Sequence, residues 1–510
     1  MTRRRWLVPV ALFAGAALIS GFTMLRGIDH FDEGLALQAA RRVAGGELPY
    51  RDFLWSYGPA SPYLLGGLFD LLGTSLVHWR VLRVLADAGV ALLAFVLVRR
   101  HAGDRWALLA WLAVACQMAQ PRNANPFPFA LLAALGAIVL VSGERPLRTR
   151  VAWAGALTAV AAAYRIDFAL YGFAAVAVML ALETRRVRTV ALYAAVTAGL
   201  AVLVYAPFAV AVGPADLYEA LIGTSLRERD YWTLPFPWSY YGSLGSPEGW
   251  KDALDFYVPA LLLAGLAVAG AALAWRALRE RRPPPPLGAG LAVLALGCLS
   301  YLLSRTDEVH TTPLFVALAV MLPLAAARAW GAGPGRARWL AYPAALVFGL
   351  LLLHGAANRG SALLRPPELA ALGVGPADGV RIPPEEARAI ERIEALVGER
   401  VPPGEPIYVA PARSDRVRFN DSLMYVLMER DNASRVDYGL IAKAGPQREI
   451  VADLERARPR LVVRWTAPVA SEPEPNLRGR ASGVRILDDW LAREYRLAER
   501  LHDYDVLVPR

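Results

Sequence analysis

Two adjacent carboxylates, Asp32 and Glu33, stand in His30-Phe31-Asp32-Glu33-Gly34, a few residues beyond the first long apolar run of the chain. A carboxylate held beside a reacting hydroxyl can act as general base, taking its proton as the oxygen attacks an electrophilic carbon. The same pair could hold a divalent cation or bind substrate hydroxyls. At a helix start it would also serve simply as a partner for the positive end of the dipole. Arg165 and Asp167 form a second ionisable pair, in Tyr164-Arg165-Ile166-Asp167 at the end of an apolar run. Charge there is expensive, so it serves either a cavity or an ion pair that closes the helix end. The third group is the polar turn Ser304-Arg305-Thr306-Asp307-Glu308-Val309-His310 between two apolar runs. An arginine fork and a protonated imidazole suit a phosphate, whereas a plain turn needs charges only to stay in water. Arg122-Asn123-Ala124-Asn125-Pro126 could add hydrogen bonds to the same cavity.

The elements that must position these residues are membrane helices. Of 510 residues, 56% are hydrophobic, and the mean hydropathy is +0.34. Repeated apolar runs of roughly 17 to 25 residues are each long enough to cross ~30 Å of hydrocarbon as a helix. The expected spans are 6–25, 80–99, 104–120, 126–142, 151–164, 168–183, 189–212, 254–276, 287–304, 310–328 and 338–356, which makes a polytopic α-helical membrane protein of about 11 transmembrane helices. The first run follows Arg3-Arg4-Arg5 and reads as a retained helix, not a cleaved signal. The net charge of +10 comes from arginine clusters between the runs, where the positive-inside rule accounts for them, so no nucleic-acid partner is called for. Cys116 and Cys298 both lie inside apolar runs, which leaves no disulfide framework.

The arginine-rich loops Arg99 to Arg105, Arg145 to Arg150, Arg185 to Arg188, Arg276 to Arg282 and Arg328 to Arg338 all fall on the side of the N-terminus. This puts the N-terminus in the cytoplasm of a multi-pass protein of the inner or plasma membrane. The loops 26–79, 121–125, 165–167, 213–253 and 305–309, with everything after 357, then lie outside. They hold nearly all the unusual polar residues. The short span 151–164 suggests a broken helix that brings Arg165 and Asp167 into a cavity, because irregular backbone is not tolerated against lipid. In the first outer loop, 33–44 and 62–72 read as surface helices. The loop 213–253 is rich in aromatic residues of the kind found at headgroup level. Beyond 357, helices (385–397, 422–429, 448–458, 488–495) alternate with short apolar strands (407–410, 461–463, 504–508), as in a small α/β domain. Two domains are expected: 1–356, including the first outer loop 26–79, and a C-terminal soluble domain 357–510.

No Walker loop, dinucleotide fingerprint or HExxH occurs, so an ATP-driven or nucleotide-sugar enzyme is not supported. The order of an N-terminal span, an Asp-Glu pair in a large first outer loop, Gly46-Glu47-Leu48-Pro49-Tyr50-Arg51-Asp52-Phe53, Tyr57-Gly58-Pro59 and a multi-span body resembles the GT-C glycosyltransferases. The likeness is to the bacterial protein-mannosyltransferase and aminoarabinose-transferase group, and it covers roughly residues 1–356. Arg305-Thr306-Asp307 and His310 are similar to a late outer-loop motif of such proteins. The resemblance implies transfer of a sugar from a polyprenyl-phosphate-linked donor to a lipid, glycan or protein acceptor on the extracytoplasmic face. It implies Asp32 as catalytic base, with Glu33 beside it positioning substrate or metal. Arg165, Arg305 and His310 become candidates for the donor phosphate, and Asp167, Asp307, Tyr50 and Arg51 for further substrate binding. A divalent metal ion is left open as a cofactor, with no ligand set assigned. A transporter or flippase for a lipid-linked or anionic solute would instead use the same charges along a midplane pathway between repeated halves. No such repeat is visible, and the polar groups gather at one surface. In a non-catalytic assembly protein the acidic pair would be dispensable.

Overall fold

The computed structural model describes residues 4–281, 283–331, 338–417, 419–436 and 441–510. Arg3, Arg282 and the 332–337 part of the last arginine-rich loop lie outside the described residues. Every expected span is a helix: α1 Arg4–Gly21, α4 Leu76–Ala102, α5 Asp104–Met118, α6 Phe127–Val141, α7 Leu147–Tyr164, α8 Ile166–Thr184, α9 Val187–Val212, α13 Pro247–Glu280, α14 Pro286–Ser304, α15 Glu308–Gly331 and α16 Arg338–Leu364. The first loop contributes α2 Asp32–Ala44 and α3 Ala60–Leu72, and the aromatic loop the short α10 Pro214–Tyr218, α11 Thr224–Arg227 and α12 Arg229–Trp232, with a π-helical turn Glu219–Gly223 between the first two.

Among the described residues, seven of these helices (α4, α8, α9, α13, α14, α15 and α16) are long and apolar enough to cross a membrane, while α1 and α6 are shorter apolar helices. Alanine lines the buried faces of α4 to α6, with Ala88, Ala91, Ala94, Ala107, Ala110, Ala113, Ala130 and Ala134 all enclosed. Small side chains let helix backbones approach closely where lipid gives no hydrophobic drive to associate. Of the most apolar stretch of α15, 83% is buried, against 11% of that of α9. Helix α15 is therefore central and α9 peripheral. The polar turn that precedes α15 is held by the best-packed helix of the bundle.

The C-terminal part contains α17 Pro384–Arg400, α18 Leu423–Leu427, α19 Ala444–Ala457 and α20 Ile486–Glu494. Its small ribbon pairs β1 Ala370–Ala371 with β2 Arg381–Ile382. The four-stranded sheet runs β3-β4-β6-β5, where β3 is Tyr408–Pro411, β4 Val462–Trp465, β5 Tyr495–Leu501 and β6 Tyr504–Pro509. Strands β3 and β4 are parallel, and β6 is antiparallel to both β4 and β5. The small α/β domain is as expected, with two additions, the ribbon β1–β2 and strand β5. Strand β5 is an edge strand carrying Arg496, Glu499 and Arg500, the charged composition that protects a sheet edge and hides the strand from an apolar-run reading.

The first loop and the C-terminal domain share one hydrophobic core. Leu37, Phe53, Trp55, Leu65 and Trp79 cluster with Ile390, Leu423, Met424, Val463 and Tyr504. The backbones also pair: Gly27 N–H donates to Arg381 O (2.7 Å), and Arg381 N–H to Leu25 O (2.8 Å). Helix α2 meets the backbone at the start of α18 so closely that a Cβ on Gly34 would lie 2.2 Å from Leu423 N.

Candidate active site

Helix α2 begins at a cap made by its own loop. One carboxylate oxygen of Asp29 accepts the N–H groups of Phe31 and Asp32, both at 3.1 Å. This places half-buried Asp32 in the first turn, on the wall of a cavity of about 800 Å³ that Asp29, Arg26, Arg122, Glu308 and Arg359 also line. Burial pushes the Asp32 carboxyl up, the negative charges of Asp29 and Asp307 push the same way, and Arg478 and Arg305 pull back; the outcome is about 7. Asp29 is likewise raised, chiefly by burial. A carboxylate balanced near neutrality can accept a proton and release it again.

Glu33 points the other way. It is fully enclosed and makes a two-pronged ion pair with the equally enclosed Arg80, at 2.7 and 2.8 Å. Arg80 also donates to the carbonyls of Met24 (2.6 Å) and Gly27 (3.0 Å), so the pair ties the loop before Asp32 to α4. Removing one partner of such a pair leaves an uncompensated buried charge, at a cost of about 3–5 kcal/mol. Glu33 thus does not reach the cavity; its carboxylate holds the backbone that presents Asp32. Among the described residues no group of three or more His, Cys, Asp or Glu side chains is arranged to hold a metal ion.

The break between α7 and α8 is present, and it is pinned by the first loop. Gly58 N–H donates to Tyr164 O (3.0 Å), and a Cβ at Gly58 would lie 2.1 Å from Ala163 O. Only glycine lets the chain pass there. Arg165 forks onto Asp167 (3.0 and 2.6 Å) and donates to Asn125 Oδ1 (2.8 Å). The rings of Tyr57, Phe168 and Tyr301 surround its guanidinium at 5.0, 5.4 and 4.9 Å. Arg305 donates to Asp307 (2.6 Å) and to both carboxylate oxygens of Glu474 (3.2 and 2.8 Å). Asp307 holds His310 at 2.6 Å. Burial alone would raise Asp307, but His310 and Arg305 bring it down to about 2. His310 in turn stacks on Tyr301, ring centres 4.3 Å apart.

These groups form one electrostatic neighbourhood. Burial raises the Tyr57 phenol to about 12, and the charges acting on it are those of Arg165, Asp32, Asp167 and Asp307. Arg165, Asp167, Arg305, Asp307 and His310 nevertheless do not line the cavity, and both arginine forks are engaged by carboxylates. Tyr50 and Arg51 lie elsewhere. The Tyr50 hydroxyl donates to Tyr57 O (2.7 Å), and Arg51 is exposed and clamps its neighbour Asp52 (2.8 Å). Both brace the loop and do not face the cavity.

The cations that do face it are Arg26, Arg122, Arg359 and Arg365, with His30 beside them; Arg365 is engaged by Glu248 (2.9 Å). Arg122 is exposed and has no hydrogen-bond or ion-pair partner among the described residues, and the buried Nε of Arg359 has no partner. Only the Arg122 loop gave a signal in the sequence. Arg26 reads there as an ordinary flanking charge, and Arg359 falls past the expected end of the last span because α16 runs on to Leu364. Arg478, buried in the C-terminal domain against Trp232 and Phe419 (4.5 and 4.0 Å), gave no signal at all.

The sequence matches no established family profile and no curated protein. Solved structures match in fold. ArnT from Cupriavidus metallidurans bound to undecaprenyl phosphate gives a TM-score of 0.56, covering 99% of this chain and 98% of that one at 13% identity. Its apo state gives 0.54 at 17% identity over the same shares. The archaeal oligosaccharyltransferase AglB from Archaeoglobus fulgidus, in complex with an inhibitory peptide and a dolichol-phosphate, gives 0.54, covering 92% of this chain and 70% of that one at 12% identity. At these identities the likeness is one of fold, and it extends over both the helical bundle and the C-terminal domain: this chain has the GT-C fold that its first loop resembles.

Proposed function

We propose that this chain is a membrane glycosyltransferase that moves a hexosyl or pentosyl group from a polyprenyl-phosphate donor to an acceptor hydroxyl, with Asp32 as general base. The position of Asp32 carries this reading: a carboxyl near 7 on the wall of a cavity shared with arginines. The acceptor oxygen attacks the anomeric carbon as the carbon–oxygen bond to the lipid phosphate breaks. The hydroxyl proton passes to Asp32, and the polyprenyl phosphate leaves with the bonding pair. Arg122 and Arg359, with Arg26 beside them, meet the charge that grows on that phosphate, where fixed cations stabilise a transition state more than a ground state. Arg165, Arg305 and His310 hold the opposite side of Asp32 in shape. Undecaprenyl phosphate and dolichol-phosphate in the structures of similar fold support a lipid-phosphate donor. The arginine-rich loops at the far end of the bundle support an extracytoplasmic site, within a catalytic domain 1–356 and beside an outer domain 357–510.

Purified protein incubated with a panel of polyprenyl-phosphate sugars should consume one of them. Asp32→Asn should retain expression and folding but lose about 100-fold or more of transfer. Near-normal turnover by that variant removes Asp32 as the base. Solute flux in proteoliposomes with no donor consumed would replace the enzyme with a transporter.

A further inference from the structure

Two residues before Asp32, His30 is gripped by the C-terminal domain. Its Nε2 lies 2.9 Å from Glu386 Oε1 and its Nδ1 3.1 Å from Asp421 Oδ2. Glu386 belongs to α17, and Asp421 precedes α18. Asp421 is fully buried; it also accepts the Tyr504 hydroxyl (2.8 Å) and the Met424 N–H (3.2 Å). The imidazole packs on Trp465 with ring centres 5.0 Å apart, and the His30 carbonyl accepts the Leu423 N–H (3.1 Å). Phe31 meets Phe419 at 4.9 Å. Helix α17, the segment before α18 and strand β4 thus converge on one side chain. A neutral imidazole has one N–H, whereas two carboxylates on its two nitrogens call for two donors, which only imidazolium supplies.

We propose that His30 is a positioning residue, a cationic latch through which the C-terminal domain fixes the Asp29–Asp32 cap and so aims the Asp32 carboxylate into the cavity. The latch rests on the assignment of Asp32 as base. It gives the C-terminal domain a part in the transfer step itself, in addition to any part in acceptor binding. The groups facing His30 are Glu386 and Asp421, with Tyr504 behind Asp421 and Asp29 on its own loop. Their balance is acidic, which keeps the ring charged: burial alone would lower its pKa, but Asp421 and Glu386 raise it to about 10.

The test compares His30→Gln, Glu386→Gln and Asp32→Asn in the donor-consumption assay, with thermal unfolding measured alongside. Glutamine at 30 keeps one donor and loses the charge. At Glu386, on the solvent-facing side of the cluster, glutamine loosens one prong and leaves the core intact. A misaimed catalytic group of this kind costs rate and not affinity. His30→Gln should therefore lower kcat ten-fold or more with donor KM within two-fold of the parent, and Glu386→Gln should lower kcat several-fold in the same pattern. If His30→Gln does not accumulate folded, Glu386→Gln decides alone. Parent-like kcat in Glu386→Gln overturns the latch, as does a loss of rate that only tracks the loss of folded protein. Should Asp32→Asn itself stay active, the base assignment fails. With Asp32→Asn inactive and His30→Gln parent-like, only the latch fails.

Discussion

At the scale of single residues, the centre is set by how differently two adjacent acids are treated. Asp32 is held near neutrality by burial and by Asp29 and Asp307, while Glu33 is locked onto Arg80. Adjacent side chains on a helix diverge by about 100°, so a neighbouring pair cannot both face one cavity. The sign of the pH dependence follows. A general base works as the carboxylate, so the folded-state value near 7 predicts kcat/KM for the donor rising with pH through about 7 and levelling above it. A pH–rate profile of donor consumption checks this, and a profile flat from pH 5 to 9 would contradict it. Replacing Arg478 should move that midpoint upward, since its charge is the first to oppose the rise.

At the scale of elements, the segment that looks most like a substrate motif is a brace. Tyr50 adopts a positive φ of 72°, its hydroxyl holds the Tyr57 carbonyl, Trp55 Nε1 donates to Gly58 O (3.0 Å), and Gly58 presses on the α7–α8 break. Gly58→Ala should push this brace off Ala163 and disturb Arg165. A loss of about 1–3 kcal/mol of stability is expected, as for overpacking at a tight contact, together with reduced transfer, measured by thermal unfolding and donor consumption. The elements were legible because membrane helices announce themselves by length and apolarity, and the break after Tyr164 by its short run. Asp32, Arg165, Arg305 and Asp307 were legible as charges in loops on one side. Of the cavity arginines only Arg122 was, through its loop; Arg26 and Arg359 look like flanking charges. Tyr50 and Arg51 lie off the cavity wall, and a motif's residue types do not reveal which way its side chains turn.

At the scale of the whole molecule, the C-terminal domain is welded to the first loop by a shared core and by His30 between Asp421 and Glu386, and to the turn before α15 by Glu474 on Arg305. The His30 value rises from 6.5 to about 10 on folding. Its contribution to stability is therefore fully present below about 6.5 and lost as pH climbs towards about 10. The unfolding temperature should fall across that window in the parent and fall less in His30→Gln, as followed by tryptophan fluorescence from pH 6 to 10.

His30 and Asp421 are 391 positions apart in the chain. At roughly 5–20 residues per second, a ribosome needs on the order of half a minute between making one and making the other. Throughout that interval the nascent protein carries an Asp32 loop that Arg80 can tie to α4 but that lacks its second hold, with a free imidazole in place of a clamped imidazolium. On the proposed latch, catalytic competence comes last in biosynthesis, and a chain that stops short of Asp421 is expected to yield membrane helices without a working centre.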